Sequence, residues 1–288
     1  MRLPVRLGHL VFTDGGLDDE TMQKAVGAFR IFRRGLDQLG VTAFRAVGTS
    51  ATREASNKRD FLARVREQAG IDLEPITGDE EARLVHVAVQ HRIDLSKGRW
   101  ILVDLGGGSV EVSLVDDTGI LWSESYEVGT VRLLETLEAV QGRHDSVRQW
   151  VSRQLRPLTI PPPDAYPGPT AFAATGGNIE AIARLALSYT DPAGASVLPS
   201  SRLDAVVHLL GDMTVADRIR ELNLRDDRAD VILPAALVYQ HFASLAQADQ
   251  IVVPNVGLKD GVLLDLAARV ATQTPIPGGT RRLTGNRA

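Results

Sequence analysis

Apolar and polar positions alternate with two distinct periods along this chain. Met22, Ala25, Val26, Phe29, Phe32, Leu36 and Leu39 recur every three or four residues, the spacing of one helix face. They predict a helix over 18–39, opened by Asp18, Asp19 and Glu20 and stopped by Gly40. A strand over Val41–Val47 follows, then a loop entering a helix at 48–54, a helix over Asp60–Ala69, a strand over Ile71–Ile76 and a helix from about Asp79. Trp100–Asp104 is an apolar strand, and Val110–Val115 alternates and is rich in β-branched residues, which suits a strand rather than a helix. A turn at 116–119 leads to a third strand over Ile120–Glu127. Helices are expected at Thr130–Val140 and Asp145–Leu155, then a proline-rich surface loop over Pro157–Pro169. Ala171–Asn178 reads as a strand-to-helix turn, helices dominate to residue 247, Ile251–Val253 is a short strand and Asp260–Ala271 a helix. The tail from Thr272 reads as disordered. Alternation of helix and strand predicts an α/β fold.

Composition narrows this picture. A chain of 288 residues suggests two domains. With no cysteine there is no disulfide scaffold, thiolate zinc site or cysteine nucleophile, and a reducing, cytoplasmic location fits. A net charge of −4 argues against a broad nucleic-acid surface, and no run of 18 apolar residues suggests a membrane span. The six histidines show no metal-ligand spacing.

The sharpest chemical feature is Asp104-Leu-Gly-Gly-Gly-Ser109. A dinucleotide fingerprint needs a strand before such a loop and a helix after it, and here strands flank it on both sides. No Gly-Lys-Ser/Thr follows, so the Walker pattern fails too. A glycine-rich β-hairpin remains. Gly106, Gly107 and Gly108 carry no Cβ, so the hairpin's backbone N–H groups can approach phosphate oxygens, while Asp104 stands where a divalent ion could be held. A tight hairpin without a ligand is the plainer reading. Gly176 and Gly177 precede a helical pattern and suit either a phosphate contact or an ordinary turn. Asp79, Glu80 and Glu81 open a helix; they serve its dipole, or one of them orients a water near phosphate. Glu111 faces either the ligand or solvent, and Arg53 and Lys259 are candidate phosphate cations.

Taken in order, five stretches resemble the exopolyphosphatase / guanosine pentaphosphate phosphohydrolase (Ppx/GppA) family. They are Val47–Asn57, Thr77–Leu84, Val103–Val112, Ala174–Asn178 and Gly257–Val262. The resemblance implies two actin-like (ribonuclease H-like) α/β domains around a cleft, placed at 1–96 and 97–271 with a tail over 272–288. It implies that Glu81 activates the attacking water and that Glu111 is a second carboxylate. It also puts Asp104 with a magnesium ion and Gly106, Gly107 and Ser109 around the phosphates. Lys259 stands where the family has arginine, which keeps the charge but loses bidentate geometry. The family's opening Asp-x-Gly-Ser-Asn-Ser loop has no counterpart, and Arg2–Leu10 resembles the third strand of the first domain, so that domain is expected to lack its N-terminal strands. The implied activity is release of terminal phosphate from polyphosphate or guanosine pentaphosphate, in a protein compatible with homodimer formation. The alternatives are a weakly active or non-catalytic binder of polyphosphate or guanosine penta/tetraphosphate and, third, an actin-like kinase or ATPase.

Overall fold

The computed structural model describes residues 3, 5–139, 147–162, 165, 170–187, 189–190 and 194–272. It divides into two compact units: residues up to Thr77 together with those from Val262 onward, and the contiguous segment Gly78–Gly261.

In the first unit the elements are α1 (Val11–Asp14), α2 (Asp19–Gln38), β1 (Ala46–Gly48), α3 (Ser50–Glu54), α4 (Lys58–Ala69) and β2 (Leu73–Pro75). Asp18, expected within the first turn, instead caps α2, Oδ1 accepting from the Thr21 N–H at 2.8 Å and Oδ2 from its hydroxyl at 2.6 Å. The buried face of α2, with Met22, Ala25 and Val26, packs in one core with Phe61 and Val65 of α4. β1 and β2 pair in parallel. Both are shorter than the sequence suggests: residues 41–45 extend past the end of β2 and find no ladder partner, and Pro75 lacks an N–H with which to extend one. Residues 7–10 form turns, so the strand expected across Arg2–Leu10 is not formed there.

The second unit contains α5 (Gly78–Gln90), β3 (Arg99–Leu105), β4 (Val110–Asp116), β5 (Gly119–Tyr126), α6 (Thr130–Ala139), α7 (Val147–Leu155), β6 (Thr170–Thr175), α8 (Gly177–Leu185), β7 (Tyr189–Thr190), β8 (Ser196–Pro199), α9 (Ser200–Asp212), α10 (Val215–Leu222), α11 (Asp226–Ala229), α12 (Ile232–Leu245) and β9 (Gln250–Val253). The unit boundary falls inside the last described helix, α13 (Leu258–Ala271). The strands form one mixed sheet in the order β5-β4-β3-β6-β9-β8-β7. β3 runs parallel to β6 and β6 to β9; the remaining pairs are antiparallel. The short β7 and β8 fall within a stretch expected to be helical.

Both faces of this sheet are covered. Ile101, Val103 and Leu105 of β3 face a large core shared with α7, α8, α9 and α12, whereas Leu102 faces a smaller one with Val85 and Val89 of α5. That explains why β3 reads as a continuous apolar run. Parts of the proline-rich loop, the ends of the helices flanking 140–146, and the tail over 273–288 lie outside the described residues.

Candidate active site

Strand register brings the polar positions together. Glu111 lies directly opposite Asp104, Ser125 opposite Glu111, and Thr175 opposite Asp104. Directly paired residues share a sheet face, so Ser125, Glu111, Asp104 and Thr175 form a row across β5, β4, β3 and β6. The face is the one on which α5 packs. Hydrogen bonds run along the row: Ser125 Oγ donates to Glu111 Oε1 at 2.9 Å, and Thr175 Oγ1 donates to Asp104 Oδ1 at 2.5 Å.

The first turn of α5 adds Glu81. The approach is close because Gly78 has no side chain; a Cβ there would sit 2.7 Å from Ser125 Cβ. One carboxylate oxygen from each of Glu81, Asp104 and Glu111 then lies within 4.8 Å of the others. All three residues are buried, at 4%, 8% and 2% exposure. Burial pushes the Asp104 carboxyl above its ordinary value, against the opposing pull of the Thr175 hydrogen bond. Three converging carboxylates repel one another as anions, and an all-oxygen donor set of this kind fits a hard divalent cation.

The glycine hairpin adjoins this cluster, joining the strands that carry Asp104 and Glu111. Its carbonyls face the start of α6: Gly106 O accepts from Thr130 N at 3.1 Å, and Gly107 O from Val131 N and Arg132 N at 2.8 and 3.0 Å. A trans peptide directs its N–H opposite to its C=O. The N–H groups of Gly107 and Gly108 therefore point away from α6, as does that of Ser109, because Gly108 O accepts from Arg132 Nε of α6 at 2.7 Å; none of the three is spent on a hydrogen bond among the described residues.

Gly176 caps α8 with φ +107°, a conformation that favours glycine. A Cβ on it would lie 3.1 Å from the Leu105 carbonyl and 3.8 Å from Asp104 Oδ1, which places it beside the cluster. Gly177 begins α8 and stands against Arg228, whose Nη2 would lie 2.8 Å from a Cβ there. Lys259 is exposed near the start of α13. Arg53 belongs to the first unit, where its Nη1 donates to the Ile76 carbonyl at 2.9 Å. Thr175, Tyr239, Arg132 and Arg228 are polar residues of this region that pattern reading does not single out. Tyr239, on α12, donates from its hydroxyl to the Thr175 carbonyl at 2.8 Å. Burial holds its phenol well above the ordinary 10.0, so it remains a neutral donor.

The Ppx/GppA phosphatase family model matches residues 2–270. The chain belongs to the Ppx/GppA phosphatase family. Exopolyphosphatase 2 of Mycobacterium tuberculosis is 30% identical over 281 residues, covering 91% of this chain and 87% of that protein. Exopolyphosphatase 1 of the same organism is 27% identical over 267 residues, covering 90% and 77%. Among solved structures, an exopolyphosphatase from Cytophaga hutchinsonii superposes with a TM-score of 0.82 at 26% identity, covering 92% of this chain and 87% of that one. The Aquifex aeolicus Ppx/GppA family member, at 24% identity and a TM-score of 0.72, shares the fold; it covers 94% of this chain and 88% of its own. The architecture is thus the two-domain, actin-like α/β fold of the Ppx/GppA proteins. No helix among the described residues is long and apolar enough to cross a membrane.

Proposed function

We propose that the chain is a phosphohydrolase that releases the terminal phosphate of inorganic polyphosphate or of guanosine pentaphosphate, by metal-assisted attack of water. The observation that carries this reading is the convergence of Glu81, Asp104 and Glu111 beside a hairpin with outward N–H groups. The exopolyphosphatase names of its relatives support it. We further place the protein in the cytoplasm, a reading with which the absence of cysteine agrees.

Each residue then has a distinct task. Glu81 orients the attacking water and takes its proton at a carboxylate oxygen. Glu111, held by Ser125, is the second carboxylate of the site. Asp104, held by Thr175, would hold a magnesium ion together with Glu81 and Glu111. When bound, that ion neutralises charge on the phosphoryl group and its leaving oxygen. Gly107, Gly108 and Ser109 receive the phosphate oxygens on backbone N–H groups, whereas the Gly106 N–H, expected among them, closes the hairpin on the Ser109 carbonyl at 3.0 Å. Gly176 and Gly177 add the start of α8, and Lys259 serves longer phosphate chains as a cation.

The test is phosphate release by the purified chain from polyphosphate and, in parallel, from guanosine pentaphosphate, each with magnesium. The E81Q variant should lose roughly 10²- to 10⁴-fold in rate, the usual contribution of a positioned base. Wild-type rates in E81Q would overturn the role of Glu81. Binding of either substrate without any release would replace hydrolysis with the non-catalytic binding reading.

A further inference from the structure

We propose that Arg132 is a positioning residue that fixes the glycine hairpin in its phosphate-receiving orientation; this rests on the functional reading above. Arg132 lies in the first turn of α6, and its Nε donates to the Gly108 carbonyl at 2.7 Å. Its side chain is only 16% exposed, and Nη1 lies 3.9 Å from Glu127, which is itself largely in solvent. With that bond, the carbonyls of Gly106, Gly107 and Gly108 are all held on the α6 side.

The Gly108 bond matters most because backbone N–H groups from α6 hold the carbonyls of Gly106 and Gly107, while Gly108 O accepts from this side chain. A glycine peptide flips easily, since both signs of φ are open to it. A flip of the Gly108–Ser109 peptide would turn the Ser109 N–H toward α6 and present a carbonyl oxygen to phosphate instead. Arg132 opposes that flip with a charge-assisted hydrogen bond in a poorly solvated setting. The contact needs Gly129 as well. A Cβ there would lie 2.3 Å from the Gly107 carbonyl carbon and from Gly108 N, so any larger residue would separate the hairpin from α6.

The test compares the wild type, R132A and R132K, first confirming by circular dichroism that each variant folds. Calorimetry with tripolyphosphate and magnesium should show roughly tenfold weaker binding in R132A, as for loss of one charged hydrogen bond. R132K should recover part of that loss, and millimolar guanidinium should partly rescue R132A. The dependence of binding on ionic strength should stay as in the wild type, because the side chain faces a carbonyl and not the phosphate. Without ligand, the Thr130–Leu133 amides of R132A should exchange hydrogen faster, since they share the same interface. Wild-type affinity in R132A, or weakening with a reduced salt dependence, overturns the proposal; the second result would make Arg132 a direct phosphate contact. A wild type that binds no tripolyphosphate overturns the functional reading and this role with it, while exchange in R132A still reports on the clamp separately.

Discussion

Asp104 is shaped by its neighbours on both sides. Glu111 is its cross-strand partner on β4 and Thr175 its partner on β6, so the same pairing that builds the sheet sets one carboxylate beside another and supplies a hydroxyl to hold it. Burial alone raises the Asp104 carboxyl, and the Thr175 hydroxyl counteracts this by stabilising the charged form. Removing that hydroxyl at nearly constant volume should therefore weaken divalent-cation binding. T175V should bind manganese about tenfold more weakly by calorimetry, whereas T175S should resemble the wild type; an outer hydrogen-bond partner of a ligand is typically worth 10- to 100-fold. Equal affinity in T175V would remove Thr175 from the site. Asp104 and Glu111 were legible because they flank a glycine run between two β-patterned segments. Thr175 lies in a motif that drew attention only for its glycines, and Tyr239 and Arg228 reach the region from helices more than fifty residues away in the chain. No local pattern marks them.

Among the elements, the hairpin and its two strands were legible because β-branched alternation separates strand from helix over seven residues. β8 was not: Ser196-Val-Leu-Pro199 is four residues long, and its pairing with β9 is a long-range event. The same limit hides the approach of α13 to α5. Gly261 lies within α13, where an alanine would ordinarily add about 1 kcal/mol to helix stability. Here a Cβ would lie 1.8 Å from the Leu84 carbonyl oxygen and 2.6 Å from its carbon, and backbone cannot yield as a side-chain end can. Overpacking outweighs propensity, so G261A should destabilise the protein by about 3 kcal/mol in urea unfolding. A stabilising alanine would show that the two helices have room to part. The sequence marks Gly261 only as part of a resemblance; its physical reason is the contact with α5.

At the scale of the whole molecule, the first unit draws on both ends of the chain. Arg45, whose side chain is 3% exposed, donates to Glu74 through Nε and Nη2 at 3.0 and 3.1 Å and to Asp265 through Nη1 at 3.2 Å, across 220 residues. Arg269 also pairs with Asp265, at 2.8 Å. R45M should therefore cost about 3 kcal/mol in thermal unfolding, because a buried cation is lost while its carboxylates remain. No change on substitution would show that this network does not secure the returning helix.

This split composition bears on how the chain is made. Synthesis proceeds from the N-terminus, and domains fold as units while the chain emerges. The contiguous segment Gly78–Gly261 has all its strands before α13 is finished, but the first unit waits for Asp265. The segment translated first is thus the later to complete its fold. Meanwhile, Arg45 remains without its distant carboxylate until nearly the last described helix has left the ribosome.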